Sequence, residues 1–259
     1  MNKLKHKMLT TNQANYGYWT NDIPNYRRVC VLLSPGAYSG DFFNHYTEHL
    51  PKDCFCIIPD YPSRGSSSDI DNNDVNSISI FVSDLLRELK INQINIVALS
   101  YGTQVAIQML LNPSLKINNM ILVAPGEYYL GIGRIILKLV FAPFLYFPQI
   151  HTIIKKVVLK LGFMDFLPDT KLNFILKQWI GTLNYVYPSN FTSEVETIIV
   201  NYSEDRYVPK SSIVKLNKIF TNRKTVILKG KHPTTIDSFK TFFDKYFEIE
   251  TTKEVDSAN

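Results

Sequence analysis

One serine, one aspartate and one histidine occupy positions in the chain where they could do chemistry together. Ser100 lies where an apolar, β-branched run ends and a helix-period run begins, which predicts a buried parallel strand turning directly into a helix. Asp205 and His232 each follow a later predicted strand. A serine hydroxyl becomes a good nucleophile when an imidazole takes its proton and a carboxylate orients that imidazole. The three residues therefore indicate nucleophilic catalysis.

Each of the three also has a purely structural interpretation. Ser100 could cap the helix that follows it, and Asp205 could cap the next helix along the chain. His232 lies beside two lysines and could be a solvated surface histidine. Two other carboxylates are alternatives to Asp205 as the acid: Glu204 and Glu127.

The remaining histidines are less suited to act as the base, because only His232 follows a sheet strand. His45 and His49 are spaced i, i+4 on a predicted helix, which could present two metal ligands on one face. The intervening Glu48 does not complete an H-E-x-x-H pattern, so we expect no metal site there. We also find no metal cluster or dinucleotide-binding loop in the sequence, and we expect no cofactor.

The elements that would position these residues alternate between strands and helices. Buried, β-branched runs predict the strands, and apolar residues at helical spacing between 75 and 89 predict one of the helices, capped by Asp74 or Asn73. This alternation predicts a doubly wound, mostly parallel sheet with right-handed crossovers. Ligands on such sheets bind at the carboxyl ends of the strands, where residues 34–40, 60–67 and Ser100 would lie.

The turn at Ser100 carries a resemblance to a known family. Small residues flank the serine in the order Ala98-Leu99-Ser100-Tyr101-Gly102, which resembles the nucleophile elbow G-x-S-x-G of the α/β-hydrolase superfamily, with alanine in place of the first glycine. Residues 60–67 resemble the family's Asp-x-Pro-Gly-x-Gly-x-Ser loop, with Ser63 in place of the first glycine. The resemblance extends from about residue 16 to residue 247.

The resemblance implies a role for each candidate residue. Ser100 would attack a carbonyl, His232 would transfer the proton, and Asp205 would orient His232. The backbone N–H groups of Tyr101 and Ala37 would form the oxyanion hole. The family commonly has His-Gly-x where this chain has Pro-Gly-Ala, so the second donor departs from the family pattern.

The strand and helix pattern is interrupted between residues 126 and 193, which predicts an inserted helical lid. The predicted hydrolase core comprises residues 1–125 and 194–249, and residues 250–259 form a polar tail. An apolar run at 132–146 contains Arg134 and Lys138 and is broken by Pro143, which favours a lid helix over a membrane span. The basic, amphipathic character of the insertion permits peripheral contact with a membrane surface.

Composition narrows the class of protein further. Hydrophobic residues make up 45% of the 259 residues and charged residues 20%, which is ordinary for a soluble globular protein. The net charge of +5 is spread over several segments and does not indicate nucleic-acid binding. The N-terminus lacks the apolar core of a secretory signal, and three cysteines within predicted strands indicate a reducing compartment. We therefore expect a cytoplasmic protein.

The function that the resemblance implies is that of a serine hydrolase acting through an acyl-enzyme. The apolar residues of the insertion favour a small-molecule carboxylic ester with an apolar acyl or alcohol group. A thioesterase and an acyltransferase are alternatives with the same nucleophile. A catalytically silent hydrolase fold used for binding is an alternative from another class, because fold does not guarantee activity.

Overall fold

The computed structural model describes residues 4–23, 26–36, 38–49, 54–127, 135, 139, 172–233 and 237–244. Its centre is an eight-stranded sheet in the order β1-β2-β4-β3-β5-β6-β7-β8. The strands are β1 Lys5–Thr10, β2 Asn15–Thr20, β3 Arg28–Leu33, β4 Cys54–Pro59, β5 Gln93–Leu99, β6 Lys116–Val123, β7 Glu196–Tyr202 and β8 Arg223–Leu228. The first two strands run antiparallel to their neighbours and the other six are parallel.

The strands form because their apolar residues can be buried on both faces of the sheet. On β5, Ile94, Ile96 and Ala98 pack into the core on one face, while Val97 and Leu99 pack into the core on the other. This alternation follows from the two-residue repeat of a strand. The three cysteines, Cys30 on β3 and Cys54 and Cys56 on β4, are buried thiols.

Helices cover both faces of this sheet. The α-helices whose bounds fall within the described ranges are α1 Val75–Glu88, α2 Tyr101–Met109, α3 Leu172–Asn184, α4 Lys210–Ile219 and a short turn at Lys240–Phe242. Buried residues of α1, α2 and α4 belong to the core on one face. The other face is covered by a 3₁₀ segment, Gly40–His49, and by an aromatic group close to the C-terminus: Phe239, Phe242 and Phe243. The predicted doubly wound, mostly parallel sheet is confirmed.

The N-terminus of α1 is capped by one of the two residues that the sequence predicts. The Asp74 carboxylate accepts the Ser77 N–H at 2.8 Å, which caps the first turn as the sequence predicts.

One strand was not predicted. β1 is polar and mostly exposed, and it pairs with β2 over six residues at the edge of the sheet. Edge pairing requires backbone hydrogen bonds but no apolar face, so no hydrophobic period marks this strand.

The described part of the predicted lid is mainly its C-terminal portion, residues 172–193. Helix α3 coincides with the second apolar stripe of the insertion. The first stripe at 150–161, most of the apolar run at 132–146 and the tail at 250–259 lie outside the described residues. The boundaries of the lid therefore stay predictions. Within the residues described, no helix combines the length and the apolar character needed to cross a membrane.

Candidate active site

Ser100 lies on a sharp bend between the end of β5 and the start of α2. Its φ of 48° and ψ of −115° fall outside the regions that L-residues favour, a conformation that costs about 1–3 kcal/mol. Surrounding hydrogen bonds hold the bend: the Ser100 N–H donates to Val123 O at 2.8 Å, and the Thr103 N–H donates to Ser100 O at 2.9 Å. The Ser100 side chain makes no capping bond to α2. The helix-cap interpretation of this serine is therefore wrong.

The small residues around Ser100 permit the bend. A Cβ at Gly102 would approach Leu33 O at 2.5 Å, closer than a side chain can come to backbone, so α2 can cross β3 here only with glycine. Ala98 is fully buried on β5, and its methyl group packs into the core on the α2 face. The first glycine of the usual elbow is therefore not required by the space at this position.

His232 connects the serine to the aspartate. Its Nε2 lies 3.1 Å from Ser100 Oγ, and its Nδ1 lies 2.6 Å from Asp205 Oδ2. The side chains of His232 and Asp205 are each only 7% exposed. The ring of Tyr207 contacts the imidazole edge to face, with the centroids 5.3 Å apart. The structure thus brings together the serine, the histidine and the aspartate that the sequence singled out.

The Asp205 carboxylate is held by the loop that follows β7. Its Oδ1 accepts the N–H groups of Tyr207 at 2.8 Å and Val208 at 3.1 Å, which leaves Oδ2 for His232. Burial alone would raise the pKa of Asp205. The hydrogen bond and charge of His232, together with the two backbone donors, outweigh burial and lower the pKa below its ordinary value. The carboxylate is therefore ionised at neutral pH.

The two alternative carboxylates point elsewhere. Glu204 is exposed, and its backbone N–H donates to Gly230 O at 2.8 Å. Glu127 is buried, but its carboxylate accepts the Tyr187 N–H at 2.6 Å and pairs with Lys215 Nζ at 2.7 Å. Glu127 thus connects the end of β6 to α4 and to the segment after α3, whereas Asp205 is the carboxylate that contacts the imidazole.

One of the two predicted oxyanion donors lies within the described residues. Tyr101 is the first residue of α2, and the first N–H groups of a helix have no partner within it. Its position next to Ser100 is suited to an oxyanion. Ala37 lies outside the described residues. The loop around it is described at 34–36 and 38–40, where a Cβ at Gly36 would come within 3.2 Å of Tyr101 Cβ.

Two of the other histidines lie close to carboxylates. Across the described ranges, no group of three or more His, Cys, Asp or Glu side chains is arranged to hold a metal ion. His49 lies 3.4 Å from carboxylate oxygens of Glu48 and Asp244. His6 on β1 has the shorter contact, because its Nε2 lies 2.7 Å from Oδ2 of the fully buried Asp60. Sequence reasoning missed this pair.

Sequence reasoning also missed Arg64, which is buried next to the site. Its guanidinium donates to Tyr38 O from Nη1 and to Gln178 Oε1 from Nη2.

Arg64 lies in the motif at 60–67, where Ser63 replaces a glycine of the family pattern. Ser63 has a φ of 64°, the conformation that glycine favours, so the backbone of the motif persists without its glycine.

Comparisons with known proteins agree with this architecture. A hydrolase from Pseudomonas aeruginosa superposes with a TM-score of 0.75 at 15% identity, covering 95% of this chain and 96% of that one. An esterase from Exiguobacterium antarcticum gives 0.72 at 14% identity, covering 93% and 97%. A putative acyltransferase from Salmonella enterica gives 0.74 at 11% identity, covering 96% and 95%. At these identities the likeness establishes the fold alone.

The sequence itself matches a family model. No curated protein matches the chain at a significant level. The model of the alpha/beta hydrolase family, in contrast, matches residues 30–232, which span the sheet from β3 onward and end at the histidine of the candidate site. The resemblance first seen at the serine elbow is therefore confirmed, and the chain belongs to the alpha/beta hydrolase family.

Proposed function

We propose that this protein is a serine hydrolase in which Ser100, His232 and Asp205 act as a catalytic triad. The observation that carries the proposal is the continuous chain of contacts from Ser100 Oγ through both nitrogens of His232 to Asp205 Oδ2, at 3.1 and 2.6 Å. A buried, ionised carboxylate on one nitrogen leaves the other free to accept the serine proton. The bent backbone at Ser100 presents the hydroxyl at the carboxyl end of β5.

The reaction would proceed in two stages. Ser100 Oγ attacks the ester carbonyl carbon while His232 Nε2 takes the hydroxyl proton, and the carbonyl oxygen becomes an oxyanion facing the N–H groups of Tyr101 and Ala37. Collapse of this intermediate breaks the bond to the leaving alcohol, which receives the proton from His232. Water activated by the same imidazole then attacks the acyl-enzyme and releases the acid.

The proposed substrate is a carboxylic ester with an apolar acyl or alcohol group. The apolar residues of the predicted insertion support this choice, since most ligand-binding clefts are lined by such side chains. The esterase from Exiguobacterium antarcticum shares the fold. A thioester, or an alcohol in place of water as the acyl acceptor, would use the same three residues.

The test is hydrolysis of p-nitrophenyl esters of increasing acyl length by the purified protein. We expect turnover that rises beyond acetate and that falls about 10⁴-fold or more in Ser100→Ala, because the nucleophile is lost. Matched thioesters, and added alcohol acceptors with analysis of the products, would separate the three acyl-transfer reactions. Equal rates in the wild type and Ser100→Ala would contradict the proposal, and no hydrolysis above the uncatalysed rate in either protein would favour a binding protein.

A further inference from the structure

Three side chains of the segment after β4 hold the backbone of the loop at 34–40. Each bonds a different part of the loop: Asp60 Oδ1 accepts the Gly40 N–H at 2.9 Å, the Tyr61 hydroxyl donates to Ser34 O at 3.0 Å, and Arg64 Nη1 donates to Tyr38 O. The start, the middle and the end of the loop are thus fixed from one neighbouring segment. This is the loop that carries Ala37, the predicted second oxyanion donor.

Arg64 differs from the other two side chains because it also bonds to helix α3. Its Nη2 donates to Gln178 Oε1 on α3, and Gln178 is fully buried. The guanidinium also lies 5.6 Å from the centre of the Tyr61 ring. Burial lowers the pKa of Arg64 to about 10, so the group remains charged at neutral pH. A buried charge is costly unless its donors are used, which fixes the guanidinium between its two acceptors.

The same cluster contacts the residue that supplies the first oxyanion donor. The Tyr101 ring packs edge to face against Tyr61, with the centroids 5.8 Å apart. The buried Tyr101 hydroxyl lies close to Gln178, but it makes no hydrogen bond within the part of the chain that the structure describes. Gln178 therefore lies between Arg64, which holds the loop at 34–40, and Tyr101, which follows the nucleophile. Helix α3 is fixed nearby, because a Cβ at Gly181 would come within 3.1 Å of Asn73 O.

We propose that Arg64 is a positioning residue that couples α3 to the loop at 34–40, so that the seating of this helix sets the geometry of the oxyanion site. The inference rests on the proposed function, since it assigns the loop its part in the reaction. The hydrogen bonds of Arg64 described above go to Tyr38 and Gln178. Arg64 acts by bonding to Tyr38 O, which belongs to the residue after Ala37. Its other bond, to Gln178 Oε1, links this contact to α3.

The kinetic test compares variants of the two coupled residues with a neighbour on the same helix. Displacing an oxyanion donor weakens transition-state stabilisation, so Arg64→Met should lower kcat about 10-fold or more with a smaller change in KM. Gln178→Met should lower kcat about threefold, since the Arg64 bond to Tyr38 O remains. Arg64→Lys keeps the charge and a single donor nitrogen, so it should recover part of the loss. Lys177→Met, at an exposed position on α3, should match the wild type.

The pH dependence of kcat should stay unchanged in these variants, because the contacts of His232 with Asp205 and Ser100 are left intact. A second measurement, independent of activity, is backbone hydrogen exchange in peptides covering 34–40. We expect faster exchange there in Gln178→Met and Arg64→Met, and wild-type exchange in Lys177→Met. This comparison remains informative if Arg64→Met folds poorly, because Gln178→Met preserves the buried charge and its bond to the loop.

The outcomes separate the two proposals. A wild type that hydrolyses esters, together with a Gln178→Met variant that matches Lys177→Met in both kcat and exchange at 34–40, would overturn the coupling and leave the proposed function in place. A wild type without hydrolytic activity would contradict the proposed function. In that case the exchange data alone would decide whether α3 and the loop are coupled.

Discussion

Two histidine and aspartate pairs in this molecule are alike in their contacts and different in their surroundings. His232 Nδ1 lies 2.6 Å from Asp205 Oδ2, and His6 Nε2 lies 2.7 Å from Asp60 Oδ2. In both pairs the second carboxylate oxygen accepts backbone N–H groups. Ser66 even approaches His6, with Oγ 3.5 Å from Nε2. Proximity of a serine, a histidine and an aspartate therefore does not by itself make a catalytic site.

The difference lies in how the imidazole is used. One nitrogen of His232 contacts the Asp205 carboxylate and the other contacts Ser100. A proton can therefore pass from the serine hydroxyl to an imidazole that Asp205 orients. His6 presents the same nitrogen to both Asp60 and Ser66. Its side chain is 33% exposed, while the Asp60 side chain is fully buried. We infer that this second pair is structural and ties β1 to the end of β4.

The sharpest test of this contrast replaces each histidine by glutamine. His232→Gln should lower kcat/KM for an ester about 10⁴-fold, because the general base is lost. His6→Gln should stay within about twofold of the wild type, since His6 takes no part in the proposed proton transfer. The measurement is kcat/KM from steady-state kinetics on the two purified variants. A comparable loss in both variants would break the distinction between the pairs.

Replacing Asp205, the carboxylate of the first pair, should lower the rate nearly as much as replacing His232. Asp205→Asn keeps the shape of the side chain but removes its charge and favours the wrong imidazole tautomer, so kcat should fall about 10³–10⁴-fold. Glu127→Gln is the matched control for a buried carboxylate, and its expected effect is on stability through the lost pair with Lys215. If Glu127→Gln removed more activity than Asp205→Asn, the acid would have been assigned to the wrong residue.

The pair of His6 and Asp60 should contribute to the free energy of unfolding. Gly65 has a φ of +50°, and a Cβ there would lie 1.9 Å from Asp60 Oδ2. Gly65→Ala must displace the buried carboxylate from His6 and Gly40, so unfolding in urea should show a loss of about 3 kcal/mol or more. The neighbouring Ser66→Ala serves as the control and should cost less than about 1 kcal/mol. Equal losses would mean that the Asp60 contacts contribute little.

The pH dependence of stability gives a smaller effect with a definite sign. Because the folded protein lowers the pKa of Asp205, this group stabilises the fold fully above the ordinary carboxyl pKa of about 3.9. The contribution disappears as the pH falls through the lowered value. The Tm of the wild type, relative to Asp205→Asn, should therefore decrease as the pH falls from about 5 to below the ordinary carboxyl pKa. A Tm difference independent of pH in this range would show that the carboxylate is not stabilised in its charged form.

Much of the fold and of the candidate site could be predicted because the signals are local. The bend at Ser100 is encoded by a β-branched run, two small residues and a helical period within 14 positions. The cap at Asp74 is equally local. Asp205 and His232 could be proposed because they follow strands whose carboxyl ends meet at one edge of a parallel sheet.

The features that could not be predicted depend on contacts distant in sequence. The His6 contact with Asp60 spans 54 residues and exists only because a polar edge strand pairs with β2. Arg64 and Gln178 are 114 residues apart, and neither carries a pattern that indicates the other. A buried arginine in a loop cannot be recognised from composition, since most arginines are exposed.

The most direct test of the central claim is labelling of the folded protein with a fluorophosphonate probe, followed by mass spectrometry of the modified peptides. The two pairs predict different outcomes at their serines. Ser100, next to an oriented base, should be modified, and Ser66 should not. Labelling should disappear in Ser100→Ala. Labelling that persists in Ser100→Ala, or a folded wild type that is not modified at Ser100, would contradict the assignment of Ser100 as an activated nucleophile.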